Sequence, residues 1–311
     1  MPAASATVTP PSEWVCAKHR ISLVRPRIMG ILNVTPDSFS DGGRWLEPEA
    51  AVAHGVALVA EGADILDIGG ESTRPGAATV PVDEELRRVV PVMAALARQV
   101  SVPLSVDTRH AAVARAALAA GAAIVNDVSA LGDPEMVAVV REANAGVVLM
   151  HMRGTPADMQ RAPHYDDVVA EVRAYLAARL EAAMAAGISR AQLVIDPGIG
   201  FGKTTAHNLA LLGELERFAE LAPVLVGASR KRFIGEITGA PSDGRLAGSL
   251  TVAVWSLMRG AAILRVHDVA ATRAAVTMAG ALADGSEIRD QRSEVRGQMA
   301  DGRGKREEGR E

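Results

Sequence analysis

The chain has 311 residues, 49% of them hydrophobic and only 3% aromatic, and it carries a formal net charge of −4. This length and apolar content suffice for one large aliphatic core. The weakly acidic charge gives no electrostatic reason to expect nucleic acid or an acidic membrane surface as a partner. The single cysteine, Cys16, excludes an intrachain disulfide, and we expect it to be an inert thiol, either packed or at the surface.

The N-terminal region contains neither a membrane segment nor a targeting signal. Residues 1–12 are small and polar and are predicted to be disordered. They have no apolar signal-peptide core, and no run in the chain approaches the roughly 20 apolar residues of a spanning helix. The cytoplasm is therefore the predicted location. We interpret residues 13–26 as a short hairpin that closes the floor of the domain that follows.

Between residues 28 and 283 the sequence alternates between short apolar runs and longer Ala-, Glu- and Arg-rich stretches with helical spacing. The apolar runs predict strands near 28–34, 64–68, 103–107, 123–127, 146–151, 193–196, 224–227 and 262–266. The longer stretches predict helices near 48–62, 83–99, 110–120, 134–144, 166–186, 206–220, 245–259 and 268–283.

Eight strand–helix pairs indicate an α/β fold, and apolar runs without alternation are typical of parallel strands covered on both faces. Eight such units at this length predict a (β/α)8 TIM barrel, a single domain over 13–285. A doubly wound open sheet is the alternative, but it usually has fewer strands and a glycine fingerprint after the first. Residues 286–311 hold seven Lys/Arg and seven Asp/Glu and are predicted to be a disordered charged tail.

Polar or glycine-rich sequence follows every one of the eight predicted strands. In a barrel of this type the strand ends meet at one rim, where the chemistry lies. Asp107, Asn126 and Asp196 are short polar side chains from different strands, suited to the edge of a flat heterocycle that presents N–H donors. Opposite them we expect cations and hydroxyls that suit a phosphate or carboxylate: Arg265, His267, Lys231, Ser72, Thr73 and Ser229.

Several other kinds of site are rejected. The run Gly198–Thr204 lacks the first glycine of a P-loop, because Pro197 stands there. No His or Cys set has metal-ligand spacing, and His54, His110, His164 and His207 are expected to be surface residues. Magnesium stays plausible because it binds through few protein oxygens and substrate phosphate. No Ser–His or Cys–His nucleophile pair is evident.

The strand-end motifs resemble those of the dihydropteroate synthase family, in the family's order and spacing over roughly residues 14–284. The matching segments are Met29–Phe39, Asp67–Gly76, Ser105–Thr108, Asn126–Asp127, Asp196–Lys203, Ser229–Lys231 and Arg265–Asp268. The resemblance implies an enzyme, usually a homodimer, that joins 6-hydroxymethyl-7,8-dihydropterin diphosphate to p-aminobenzoate. The products are 7,8-dihydropteroate and diphosphate, and Mg2+ is required.

The resemblance also implies a role for each matching residue. Those that hold or line the pterin are Asp107, Asn126, Asp196, Lys231, Met150 and Gly227. Those that hold the diphosphate are Thr73, Arg74, Arg265 and His267, with Asn33 placing Mg2+. Those that receive p-aminobenzoate are Pro75, Phe201 and Ser229. Asp37, from the first loop, is a candidate for stabilising a pterin cation in an SN1-like displacement.

Two other functions remain open at this point. A pterin-dependent methyltransferase can share Asp107, Asn126 and Asp196. It is not expected to carry the Thr-Pro-Asp-Ser-Phe loop, the Ser-Arg-Lys segment that ends at Lys231, or Arg265 with His267 for a diphosphate. A non-catalytic pterin-binding paralogue is expected to bind pterin without releasing diphosphate.

Overall fold

The structure is a computed structural model that describes residues 11–34, 48–71, 79–155 and 158–284. The tail predicted at 286–311, and all but two residues of the segment 1–12, lie outside these ranges. Within the described ranges, no helix is long and apolar enough to cross a membrane.

The chain begins with an antiparallel hairpin, as predicted for residues 13–26. Strand β1 (Glu13–Cys16) pairs with β2 (His19–Ser22), so that Glu13 lies opposite Ser22. Trp14 and Cys16 are fully buried while Val15 between them is not, which is the two-residue alternation of a strand with one covered face. The covered face packs against the barrel.

Eight parallel strands form a closed barrel, which confirms the predicted fold. Each strand pairs with the next in sequence, and the last closes on the first. The middle strands are buried at every residue, because helices cover their outer faces. The strands are β3 (Arg27–Asn33), β4 (Ile65–Gly69), β5 (Leu104–Asp107), β6 (Ile124–Asp127), β7 (Gly146–Met150), β8 (Leu193–Asp196), β9 (Val224–Val226) and β10 (Ala261–Val266).

The described helices follow the predicted order. They are α1 (Pro48–Ala60), α2 (Val82–Gln99), α3 (Ala111–Ala119), α4 (Met136–Ala143), α5 (Val168–Ala185), α6 (Thr205–Gly213), α7 (Glu216–Ala219), α8 (Arg232–Thr238), α9 (Leu246–Met258) and α10 (Val269–Asp284). Short 3-10 turns lie at Arg190–Gln192 and Ser242–Gly244.

One helical prediction is wrong, and one helix was not predicted. The stretch 206–220 is two helices, because the chain leaves helical geometry at Glu214, with φ −122° and ψ 32°, directly after Gly213, a poor helix former. Helix α8 lies in a segment for which the sequence predicted neither a strand nor a helix. Its sequence has Gly235 inside and Gly239 at its end, which left little helical periodicity to detect.

The interior of the barrel is apolar at the end where the strands begin, here called the floor. Trp14 and Cys16 pack there against Met29, Ile65, Ile124, Val148, Val194, Leu225 and Ile263. The indole Nε1 of Trp14 donates to the Gln192 carbonyl oxygen at 2.8 Å. A Cβ at Gly146 would lie 2.4 Å from Cys16 Sγ. The hairpin therefore closes the floor, as predicted, and burial raises the pKa of the Cys16 thiol, consistent with an inert thiol.

The chain divides into two units at Arg273. The first unit holds the hairpin, the barrel strands and the start of α10. The second begins at Ala274, and its described part, residues 274–284, is the remainder of α10.

Candidate active site

The polar residues predicted for the site lie where the barrel strands end, here called the mouth. Asp107, Met150 and Asp196 are each the last residue of their strand, and Asn126 is the last but one in β6. Met150 and Asp196 are partners in the β7–β8 register. Parallel strands with these termini bring the four side chains to one rim, and all four are buried.

Arg265 of β10 links the acidic side chains of this rim. Its Nε donates to Asp67 Oδ2 at 2.6 Å, and a terminal nitrogen donates to Asp107 Oδ2 at 2.6 Å. Asn126 Nδ2 also donates to Asp67 Oδ2, at 2.9 Å. The prediction that Arg265 stands opposite the acids is therefore wrong, since it is bonded to Asp107 directly.

Asp67 is a functional candidate that the sequence reasoning missed. It is fully buried within β4, and its Oδ1 has no hydrogen-bond partner among the described residues. An ionisable residue inside an otherwise apolar strand run is the signal that points to it. Such a buried charge is costly unless it is paired, and Arg265 provides the pairing.

The charges of this cluster shift one another. Burial raises the pKa of Asp107 to about 7, with Arg265 opposing the shift and Asp67 adding to it. Burial opposes the positive charge of Arg265, but the carboxylates of Asp67 and Asp107 more than offset this and raise the pKa of the guanidinium. Arg265 is thus a permanent cation, whereas Asp107 changes charge near neutral pH.

Lys231 and Asp196 flank a second part of the mouth, the glycine loop of residues 197–203. Lys231 Nζ donates to the Ile199 carbonyl oxygen and lies 4.3 Å from the centre of the Phe201 ring. Asp196 Oδ1 accepts from Gly198 N at 2.7 Å. Burial lowers the pKa of Lys231 to about 8, with Asp196 opposing the shift. Burial raises the pKa of Asp196, with Lys231 the main opposing charge.

Ser229 and His267 form a contact that the sequence did not predict. Ser229 Oγ lies 3.1 Å from His267 Nδ1 and accepts from His267 N at 3.3 Å. No Ser–His nucleophile pair was expected from the sequence, and this contact does not test that expectation. Because the Ser229 hydroxyl also accepts from the His267 main chain, the contact fixes the positions of both side chains. Gly227 lies nearby, since a Cβ there would be 3.7 Å from Arg265 Cβ and 3.9 Å from Asp196 Oδ2.

Asn33 ends β3 with its side chain half-buried, in register with Gly69. Its amide oxygen is the hard ligand that Mg2+ prefers, and one such oxygen suits an ion held mainly by substrate phosphate. The other predicted site residues, Asp37, Thr73, Arg74 and Pro75, lie outside the described residues, as does Ser72.

A second acidic cluster lies outside the barrel interior, and the sequence did not predict it. Ligand atoms of Glu71, Glu85 and His110 lie within 4.8 Å of one another. Arg109 pairs with Glu71 at 3.2 Å, and His110 Nδ1 lies 2.7 Å from Glu85. Because the acids already face a guanidinium and an imidazole, we assign no metal here.

The four histidines expected at the surface divide into two groups. His54 and His164 are exposed, as predicted. For His110 the prediction is wrong, because it pairs with the buried Glu85. It is also wrong for His207, whose Nδ1 accepts from Thr204 N at 3.3 Å in a capping box at the start of α6.

Chemically, the mouth combines carboxylates that accept N–H bonds with cations that bind an anion. Such a set can hold an electron-poor heterocycle and stabilise charge that separates from it.

Comparison with known proteins identifies relatives of this site. A model of the pterin binding enzyme family matches residues 29–267. The dihydropteroate synthase of Escherichia coli (strain K12) is 47% identical over 268 residues, covering 86% of this chain and 95% of that protein. The solved structure of Xanthomonas albilineans dihydropteroate synthase with 4-aminobenzoic acid is 56% identical, with a TM-score of 0.83, and covers 87% of this chain and 98% of that one. The structure from the same organism in complex with 7,8-dihydropteroate is 54% identical, with a TM-score of 0.80, and the coverage is again 87% and 98%.

Proposed function

Since the chain belongs to the dihydropteroate synthase family, we propose that its barrel mouth joins 6-hydroxymethyl-7,8-dihydropterin diphosphate to p-aminobenzoate. The products are 7,8-dihydropteroate and diphosphate, and the enzyme is a transferase. The observation that carries the proposal is the shared network of Asp67, Asp107, Asn126 and Arg265 beside Asp196 and Lys231.

The pterin binds to the acidic side of the mouth. Asp107 and Asp196 accept N–H bonds from the heterocycle, Asn126 adds its amide, and Lys231 donates to a ring acceptor. Met150 and Gly227 line the pocket. The burial of Asp107 and Asp196 supports this role, because a water-excluded carboxylate interacts more strongly with a positively charged ligand.

The diphosphate binds to the cationic side. Arg265 and His267 hold it together with Thr73 and Arg74. For Arg265 this means turning from Asp107 toward the phosphate while it keeps its bond to Asp67. Asn33 would hold Mg2+, which when bound neutralises diphosphate charge.

p-Aminobenzoate binds beside Phe201, Ser229 and Pro75. The ring of Phe201 and the hydroxyl of Ser229 offer an apolar face and a polar contact for an aryl carboxylate. The ammonium of Lys231 above the Phe201 ring supports this placement, because it gives the edge of the pocket a positive charge.

The reaction is an SN1-like displacement. The bond between the pterin CH2 carbon and the diphosphate oxygen breaks, and its electron pair leaves with diphosphate. The ionised acids, Asp107 and Asp196 with Asp37, stabilise the pterin cation. The lone pair of the arylamine nitrogen then forms the C–N bond, and the nitrogen loses a proton to solvent. No covalent enzyme intermediate is needed, so the Ser229–His267 contact has a positioning role.

The cytoplasm and a homodimer complete the proposal. The cytoplasm accords with a single, buried cysteine. Exposed Trp255 and Met258, on the last turns of α9, support an interface with a second copy. Light scattering of the purified protein measures the mass directly.

The direct test is to incubate the protein with both substrates and Mg2+ and to follow dihydropteroate by mass spectrometry. We expect a product that depends on p-aminobenzoate. Lys231→Ala and Asp196→Ala should each lower kcat/KM by at least about tenfold, equivalent to roughly 1.4 kcal/mol. A folded protein that binds pterin without releasing diphosphate would establish the non-catalytic alternative, and wild-type activity in both variants would contradict the pterin-pocket assignment.

A further inference from the structure

The glycine loop is held by side chains along its whole length. Besides the bonds from Asp196 and Lys231, Asn208 Oδ1 accepts from Gly200 N at 2.7 Å. Gln160 Nε2 donates to the Gly200 carbonyl oxygen at 2.7 Å, and Tyr165 Oη donates to that of Gly202 at 2.9 Å. The main chain of this loop is therefore fixed from several helices and loops at once.

The loop also packs against the segment that follows β7 without room for side chains. Gly198 has φ +69°, and a Cβ there would lie 1.9 Å from the His151 carbonyl oxygen. Gly202 has φ +63°, and its Cβ would lie 2.4 Å from the Arg153 carbonyl oxygen. Only glycine combines these φ values with such contacts. The two segments approach each other as bare backbone.

Lys203, the last residue of the loop, is one of the largest fully buried side chains in the described part of the chain. Its Nζ lies 2.9 Å from the Phe201 carbonyl oxygen, 2.9 Å from His151 Nδ1 and 3.4 Å from the His151 carbonyl oxygen. Three acceptors match the three donors of an ammonium group. In the sequence analysis Lys203 ends the matching segment Asp196–Lys203 and is given no role of its own.

Burial of this lysine is costly, and its hydrogen bonds to Phe201 and His151 offset part of that cost. Burial lowers the pKa of Lys203 well below its usual value, and Asp196 opposes the shift. Burial, followed by the charge of Lys203, lowers the pKa of His151 to about 3, so the imidazole is neutral and has one ring nitrogen free to accept, as Nδ1 does when Lys203 donates to it. A lysine that only filled space would be replaced at lower cost by methionine.

We propose that Lys203 is a positioning residue for the arylamine substrate: its bonds to Phe201 and His151 hold the glycine loop so that the Phe201 ring stays beneath Lys231. This inference rests on the proposed function, because it assigns to Lys203 the placement of the surface on which p-aminobenzoate binds. It acts through the Phe201 main chain and not by touching the substrate.

The geometry predicts which substrate is affected. Asp107 on β5 accepts from Arg265, and Asn126 on β6 donates to Asp67. Within the described part of the chain, neither is hydrogen-bonded to Lys203. For Asp196, Lys231 is a stronger opposing charge than Lys203. Loss of Lys203 should therefore weaken p-aminobenzoate binding more than pterin binding.

The test compares three substitutions by steady-state kinetics with each substrate varied in turn. Lys203→Met keeps the length and removes all donors, Lys203→Gln keeps two donors without charge, and Lys18→Met is the matched control at an exposed lysine. We expect Lys203→Met to raise KM for p-aminobenzoate by about tenfold or more, with kcat and the pterin KM changed by less than about threefold. Lys203→Gln should recover part of the loss, and Lys18→Met should match wild type.

A second variant keeps the test decisive if Lys203→Met does not fold. Gln160→Leu removes the bond to the Gly200 carbonyl from a less buried position and should raise the same KM by about threefold. An active wild type whose p-aminobenzoate KM is unchanged in the folded variants would overturn the inference and leave the proposed function intact. Equal changes in both KM values would also overturn it, whereas an inactive wild type would refute the proposed function itself.

Discussion

The two ends of one barrel are built by opposite rules. At the floor, Trp14 and Cys16 lie among aliphatic side chains from seven of the strands. At the mouth, Arg265 pairs with Asp67 and Asp107. Asp196 and Lys231 lie there too, and their opposite charges interact. The floor gains stability from area removed from water, whereas the mouth spends stability on buried charge. The comparison teaches that a barrel of this type separates stability from chemistry along its axis.

Two aspartates near strand β4, only three positions apart, show the contrast between the floor and the mouth. Asp64, directly before its first residue, accepts from Ile28 N at 2.8 Å and pairs with Arg27 at 3.3 Å while its side chain remains 21% exposed. Asp67 is 0% exposed. An aspartate is thus a partly solvated ion-pair partner at the floor, as Asp64, and a fully buried partner of Arg265 near the mouth, as Asp67.

The largest expected effect comes from breaking the floor. Trp14→Ala removes a fully buried indole and its bond to Gln192, and should lower the free energy of unfolding by about 3–5 kcal/mol. Denaturant unfolding measures this change. The folded protein should keep kcat/KM within about twofold of wild type, because the core cluster that holds Trp14 includes none of the described mouth residues. A tenfold loss of kcat/KM at unchanged stability would show that the two ends are not separate.

Next is the matched pair of Asp67 on β4 and Asp64 directly before that strand. Asp67→Asn leaves Arg265 with Asp107 as its acidic partner and should lower kcat/KM by at least about tenfold, or roughly 1.4 kcal/mol. Asp64→Asn should change kcat/KM less than about twofold and stability by about 1 kcal/mol or less, because its ion pairs are partly solvated. Steady-state kinetics and thermal unfolding of both variants make the comparison, and equal losses of activity would contradict it.

The smallest expected effect is a pH dependence confined to the mouth. Burial raises the pKa of Asp107 to about 7, and only its ionised form offers both oxygens to paired N–H groups of the pterin and a negative charge to the pterin cation. The ionised fraction therefore falls as pH drops through 7, and kcat/KM for the pterin diphosphate should fall by about tenfold between pH 8 and pH 6. In Asp107→Asn, kcat/KM should be lower overall and should no longer fall between pH 8 and pH 6. If kcat/KM of the variant still falls between pH 8 and pH 6, the titrating group is not Asp107 but another one, such as the substrate diphosphate.

The strands were predictable because each is a short apolar run, and burial on both faces is a property that the run itself displays. Helix α8 and the break after Gly213 were not, because there tertiary packing decides a conformation for which local preference is weak. The hairpin was predictable in position, while the contact of Trp14 with Gln192 depends on how the closed barrel brings distant residues together.

The candidate site was predictable where a polar residue ends a strand, as for Asp107 and Asp196. Asp67 and Lys203 were missed for one physical reason: each is identified by its partners, and those partners come from segments far away in sequence. The hydrogen bond from Arg265 to Asp107 was missed for the same reason, because the two residues are far apart in sequence. Sequence places a residue at the rim, but only the closed barrel decides which neighbour it meets.

The position of Cys16 has a practical consequence. The chain has one cysteine, and it is sealed in the floor with a raised thiol pKa, so thiol reagents should reach it only when the barrel opens globally. The rate at which a thiol reagent modifies Cys16 therefore reports how often the barrel unfolds globally. Conversely, a cysteine engineered at the rim would be the one site that takes a spectroscopic label in the native state.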